Sequence, residues 1–177
     1  ILEAFLEKDT SQPLVIDADG LNLLAEHPEI LKDCVRPYIL TPHMGEMARL
    51  SGYTISQLKS ETRKCLTKFR EQLKNYTDAK PVLVLKDART MTMTDDNKFY
   101  LNLSGNSGMA TAGSGDVLSG IIAGLLAQGL ESEKAAPLGV WLHGKAGDVA
   151  KERKGERSMT ASDLIEAIPD LFMKLQL

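Results

Sequence analysis

Pro13-Leu14-Val15-Ile16-Asp17-Ala18-Asp19-Gly20-Leu21-Asn22 is the stretch that decides the fold. A short apolar run between a proline and a polar cluster predicts a strand buried on both faces, the habit of a parallel sheet covered by helices. A helix from Gly20 to Glu26 is expected to follow. The same grammar returns at Pro37-Tyr38-Ile39-Leu40-Thr41, which leads into a helical stretch from Gly45 to Leu50 ended by Gly52. It returns again at Pro81-Val82-Leu83-Val84-Leu85-Lys86. Strands alternating with helices predict an α/β fold with a mostly parallel central sheet and helices on both faces. In such sheets ligands bind outside the carboxyl ends of the strands. The three strands run out into Asp17-Ala18-Asp19, Thr41-Pro42-His43 and Lys86, so acids, an imidazole and an amine are expected on one edge.

The rest of the chain fills in around this frame. The N-terminal Ile1 to Asp9 reads as an amphipathic helix, and Thr54 with Gln57 as the capping box of a long charged helix reaching about Tyr76. Arg89 to Thr94 and Phe99 to Leu103 alternate about the turn Asp95-Asp96-Asn97, which predicts a short antiparallel hairpin. A Gly/Ser/Asn-rich loop, Ser104 to Gly115, precedes a helix to Gly129, a helix from Ser132 through Val149 and a last helix capped by Thr160. There is no internal repeat and no low-complexity linker, so residues 1–177 read as one domain.

Composition excludes several classes. With 43% hydrophobic and 25% charged residues the chain can bury a core. Its net charge of -3 and pI near 5.7 argue against nucleic acid as a partner. Cys34 and Cys65 lie far apart and outside any CxxC spacing, which suggests neither a disulfide framework nor zinc and fits a reducing cytoplasm. The longest apolar stretch, Val117 to Leu126, is interrupted by Ser119, Gly120 and Gly124 and is shorter than the roughly 20 residues of a membrane span.

The segment richest in chemistry is Asn106-Ser107-Gly108-Met109-Ala110-Thr111-Ala112-Gly113-Ser114-Gly115-Asp116. Small residues let the backbone approach an anion, and amides opening a helix at Gly115 would point at a phosphate with the helix dipole favouring negative charge. It is not a Walker loop, because the GxxxxGK[ST] lysine is missing. Asp116 stands where a carboxylate could take the proton of a substrate hydroxyl as that oxygen attacks phosphorus. The alternative is that Asp116 only caps the helix and the glycines only allow close packing.

Ala112-Gly113-Ser114-Gly115-Asp116 followed by Val117 to Gly129, with Asp17 to Asn22 and Thr41 to Glu46 upstream, resembles the signature of the ribokinase-like NAD(P)H-hydrate dehydratases from about Leu14 to the C-terminus. The resemblance implies a ribokinase-like catalytic domain of which this chain is the C-terminal portion, since the family's Gly-rich first segment has no counterpart before Leu14. It also implies the function, which is nucleotide-driven dehydration of NAD(P)H hydrate to NAD(P)H, with ADP giving AMP and phosphate, or ATP giving ADP and phosphate. Asp116 is then the catalytic base. His43 becomes a substrate-binding residue, with a helix cap as its alternative, and Glu46 corresponds to an acid near the phosphates or a magnesium ion, unless it only completes the start of its helix. Asp17, Asp19 and Asn22 could contact substrate, although Asp19 and Asn22 could equally cap and orient the helix starting at Gly20. Lys86-Asp87-Ala88-Arg89-Thr90 matches the family's nucleotide-contact segment, usually KGxxT, with Asp87 in place of glycine, an awkward charge beside phosphate unless its side chain turns to solvent. Asn106, Gly113 and Gly115 are the nucleotide contacts of the loop.

His143 reads as helix packing, Lys151 to Arg157 as a solvated helix end, and the methionines as core filler. A kinase of the same fold, acting on a hydroxymethylpyrimidine or a thiazole alcohol, is the alternative, and an inactive nucleotide-binding fragment is another. If strands are missing beside Pro13 to Asp17, the chain is expected to pair with a segment that carries them or to self-associate as a homo-oligomer.

Overall fold

The computed structural model describes Leu6, residues 12–32 and residues 34–176. The expected N-terminal helix lies outside the described residues except at Leu6, which is helical and buried. The chain divides into two compact units, one of Ile1–Asp87 with Met91–Tyr100 and one of Ala88–Thr90 with Leu101–Leu177.

The first unit is built on a sheet of strands β1 (Leu14–Ile16), β2 (Tyr38–Leu40), β3 (Val82–Leu85), β4 (Met91–Met93) and β5 (Phe99–Leu101), in that order. β1, β2 and β3 are parallel, with Val15 beside Ile39 and Leu40 beside Leu83. β4 joins β3 antiparallel and turns back into β5, the turn closing where the Thr94 N–H donates to the Lys98 carbonyl at 3.0 Å. β2 and β3 are buried along their whole length, which is why they read as unbroken apolar runs.

Helix α1 (Asp19–Glu26) links β1 to β2; α2 (Met44–Ser51), α3 (Ile55–Ser60) and α4 (Thr62–Leu73) link β2 to β3. Gly52 ends α2 in the left-handed region at φ 74°. The capping box expected at Thr54 and Gln57 is present, but the long helix it was to open is two helices, broken at Glu61 (φ -130°, ψ 39°). Side chains satisfy carbonyls at the break: the Thr62 hydroxyl donates to Leu58 at 2.7 Å and the Cys65 thiol to Gln57 at 3.6 Å. With the change of direction Leu58 on one arm and Leu66 and Phe69 on the other all reach the core.

The second unit is helical. It holds α5 (Ser114–Ala127), α6 (Ser132–Lys154) and α7 (Ala161–Leu175), packed through Val117, Leu142, Ala146, Val149, Leu164 and Leu171. α6 runs past the expected Val149 to Lys154, where Gly155 (φ 73°) stops it, and α7 starts with a capping box between Thr160 and Asp163. α6 is rich in small residues because neighbours come close: a Cβ at Gly139 would lie 2.6 Å from Ile122. Among the described residues no helix is long and apolar enough to cross a membrane.

Candidate functional site

In the first unit the strand ends meet as the sequence implies. Beyond the regular ladder one more parallel rung joins His43 to Lys86, and the Lys86 N–H donates to the Pro42 carbonyl at 2.8 Å. That rung fixes Lys86 so that its ammonium reaches the Asp17 carboxylate at 2.7 Å, with both side chains mostly buried. Asp17 also accepts the N–H of Ala18 at 2.9 Å. Ala18 turns the chain from β1 into α1 at φ 48° and ψ -116°, a region L residues rarely occupy and keep only where their surroundings hold them. α1 then begins at Asp19 without a side-chain cap. Asn22 is not a cap either; its side-chain oxygen accepts a hydrogen bond from Arg49 on α2.

His43 caps α2. Its Nδ1 accepts the N–H groups of Gly45 (2.9 Å) and Glu46 (3.2 Å), while Glu46 returns a carboxylate oxygen to the His43 N–H at 2.8 Å. Gly45 leaves room for the ring, since a Cβ there would lie 2.9 Å from His43 Cε1. Because Nδ1 faces two N–H donors, the proton of the neutral ring sits on Nε2, a donor 3.4 Å from Glu46 Oε1 on a half-exposed side chain. The capping role and the donor role therefore fall on opposite nitrogens of one ring. Glu46 is buried and both its oxygens face His43, which suits a helix start better than a magnesium ligand. Among the described residues no three His, Cys, Asp or Glu groups are arranged to hold a metal.

Past Lys86 the chain bends, and Asp87, Ala88 and Arg89 are exposed while Thr90 is half-buried. The Thr90 carbonyl accepts the Asn102 N–H at 2.9 Å.

In the second unit the Gly-rich loop closes on a helix start. α5 opens at Ser114, one residue before the expected Gly115, behind a left-handed Gly113 (φ 84°). A Cβ at position 113 would come within 3.1 Å of Ala161 and 3.9 Å of Asp116 Oδ2. The N–H groups of Gly115 and Asp116, in the first turn, have no acceptor among the described residues. The Asp116 side chain is exposed and makes no hydrogen bond or ion pair there, so it is not the helix cap. An apolar groove of about 600 Å³ runs from Asp116 between α5 and α7.

The loop itself is held from α6. Asn106, expected among the nucleotide contacts, spends its side chain on the loop: Oδ1 accepts the Gly108 N–H (3.1 Å) and Nδ2 donates to the Gly147 carbonyl (2.9 Å) and to Asp148 (3.4 Å). Asp148 and His143, whose Nε2 lies 3.3 Å from the Ser114 hydroxyl, are neighbours of the loop that sequence reasoning missed. The available signal was a pair of glycines with an acid and an imidazole inside a helix, a composition that weakens a helix unless something packs closely on it.

Comparison with known proteins identifies the family. A family model described as NAD(P)H-hydrate dehydratase matches residues 1–170. The chain is 46% identical over 164 residues to the bifunctional NAD(P)H-hydrate repair enzyme of Moorella thermoacetica, covering 93% of this chain and 30% of that protein. It is 43% identical over 157 residues to the ADP-dependent (S)-NAD(P)H-hydrate dehydratase of Neisseria meningitidis, covering 87% and 51% respectively. The chain thus spans between about a third and a half of these relatives. Among solved structures, the ADP/ATP-dependent NAD(P)H-hydrate dehydratase of Bacillus subtilis, co-crystallised with ATP and Mg2+, superposes with a TM-score of 0.75 at 22% identity, covering 98% of this chain and 68% of that one. Hydroxyethylthiazole kinase from Pyrococcus horikoshii follows at a TM-score of 0.62 and 17% identity, covering 91% and 59%. At such identities the likeness is one of fold, and the fold is ribokinase-like α/β.

Proposed function

This chain belongs to the NAD(P)H-hydrate dehydratase family, and from that premise we propose that it takes part in the nucleotide-driven dehydration of NAD(P)H hydrate. Asp116 accepts the proton of the ring hydroxyl, that oxygen attacks the terminal phosphorus of ADP or ATP, and AMP or ADP leaves. The phosphate now on the ring then departs as a proton is lost from the neighbouring carbon, which leaves the reduced nicotinamide. The observation that carries this reading is a carboxylate without a partner beside two helix-opening amides, those of Gly115 and Asp116, without acceptors among the described residues.

The other roles follow from what each group offers. The N–H groups of Gly115 and Asp116, which follow the left-handed Gly113, receive phosphate oxygens. Lys86 supplies a fixed positive charge at its strand end, and the turn Asp87-Ala88-Arg89-Thr90, exposed over its first three residues, contacts the nucleotide. His43 Nε2–H donates to the hydrate, and Asp17 and Asn22 contribute polar contacts to it. Magnesium is not assigned to Glu46, because the capping box holds that carboxylate, and no step is routed through the ion. The unpaired, buried thiols of Cys34 and Cys65 and a soluble cofactor as substrate support a cytoplasmic setting. Incubation with hydrated NADH and ADP tests the reading. Absorbance at the reduced nicotinamide band should rise with stoichiometric release of AMP and phosphate. Nucleotide consumption that leaves a stable phosphorylated product would mark a kinase instead, and no nucleotide consumption would remove the proposal.

A further inference from the structure

We infer that Asp148 is a positioning residue that sets nucleotide affinity by fixing the loop leading to Asp116, without touching the nucleotide; the inference rests on the reading above. A loop of glycines and small polar residues has little shape of its own, because its backbone loses more freedom on ordering than any other. To present amides at one place it must be held from outside. Asp148 holds it with both oxygens: Oδ2 accepts the Gly105 N–H at 3.2 Å and Oδ1 accepts Asn106 Nδ2 at 3.4 Å. Asn106 relays that hold forward, its own oxygen taking the Gly108 N–H at 3.1 Å. One carboxylate therefore fixes three loop residues.

The helix that carries Asp148 is shaped for this contact. A Cβ at Gly144 would lie 2.8 Å from the Ser104 carbonyl oxygen, and one at Gly147 2.7 Å from Met109 Cγ. The Ser104 hydroxyl donates to the Trp141 carbonyl at 3.2 Å. Trp141, Gly144, Gly147 and Asp148 recur at helical spacing, so these contacts come from one face of α6. Each glycine costs a helix interior about 1 kcal/mol relative to alanine, and closeness to the loop is what that cost obtains. On the same helix His143 meets Ser114, the first residue of α5. The loop is thus tied to α6 before its single 3-10 turn, Ser107–Met109, and again at the helix start, with Asp116 two residues beyond the second tie.

The test compares wild type, Asp148→Asn and Gly144→Ala as full chains, with ADP binding by calorimetry, kcat and KM for ADP, and thermal denaturation. In Asp148→Asn the shape is kept but one acceptor becomes a donor facing a donor. ADP affinity should fall on the order of tenfold or more, the worth of a hydrogen bond to a charged group. At saturating ADP, kcat should stay within about threefold, because bound nucleotide holds the loop in place and only the competent fraction of the free protein has changed. Gly144→Ala leaves Asp148 intact and moves the loop backbone, so it should give the same split, and it decides the matter where Asp148→Asn does not fold. Unchanged ADP affinity in a folded variant overturns the inference, as does a fall in kcat with KM unchanged. A wild-type chain that binds neither ADP nor ATP overturns the functional reading itself, and the inference with it.

Discussion

The strand-end cluster of the first unit and the helix start of the second use polar groups in opposite ways. At the strand ends the candidate groups have partners within the protein: Lys86 with Asp17, His43 with Glu46, Asn22 with Arg49. At the helix start Asp116 and the amides of Gly115 and Asp116 have none among the described residues. Paired groups hold a shape, because removing one partner strands the other. Unpaired groups pay no such debt and remain open to a ligand. The comparison teaches that the first cluster is a preformed frame and the second the place where a proton and a phosphate can be received.

The largest effect should therefore come from the unpaired carboxylate. Asp116→Asn is expected to lower turnover by roughly 10²–10⁴-fold, with ADP binding and thermal stability nearly unchanged, since the native side chain supports no other group. Near-wild-type turnover in the hydrate assay would sink the base role. Gly113→Val should come next. A branched residue at φ 84° against Ala161 is strained by about 1–2 kcal/mol, and the amides behind it must shift. Calorimetry should find ADP binding weakened by at least tenfold and the melting point lowered by several degrees; full affinity in a folded variant would separate Gly113 from any phosphate contact.

Lys86→Met reverses the emphasis, because it removes the cation that faces the mostly buried Asp17 carboxylate. Urea denaturation should register a loss of about 1–3 kcal/mol alongside weaker nucleotide binding. Unchanged stability would mean that the strand-end pair is not a frame at all. The smallest effect is a labelling rate. Cys34 and Cys65 both lie in the first unit, and burial pushes both thiols up from their ordinary value. A raised value leaves less thiolate at a given pH, so at pH 8 both should react with iodoacetamide far more slowly in the native chain than in urea. The native rate would then report opening of the first unit alone. Equal rates in buffer and urea would show that the first unit is not closed around them.

Much of this was legible in the sequence, and the reasons are local. Each of the three strands stands inside the apolar run that suggested it, because three or four apolar residues between a proline and a polar cluster leave few other structures, although Leu14 and Val15 of β1 are half-buried where burial on both faces was expected. Gly52, Thr54 and Thr160 mark helix ends through their own backbone and side-chain chemistry. The break at Glu61 was not legible, since it depends on which residues of the two arms reach the core. Neither was the engagement of Asn106. A loop asparagine beside glycines reads equally as a ligand contact or as a clamp until its partner is known, and that partner is on another helix.

By itself, the sequence determined the order of strands and helices, the edge of the sheet where polar residues emerge, and the small-residue loop that delivers an acid into the first turn of a helix. Only the tertiary structure decided who pairs with whom: Lys86 with Asp17 across 69 residues, and Gly105 with Asp148 across 43. The physical reason is range. Propensity, capping and periodicity act over a few residues and are written in order along the chain. A hydrogen bond between distant residues exists only once the core has packed and brought the chain back upon itself, as packing across α6 does for Asp148.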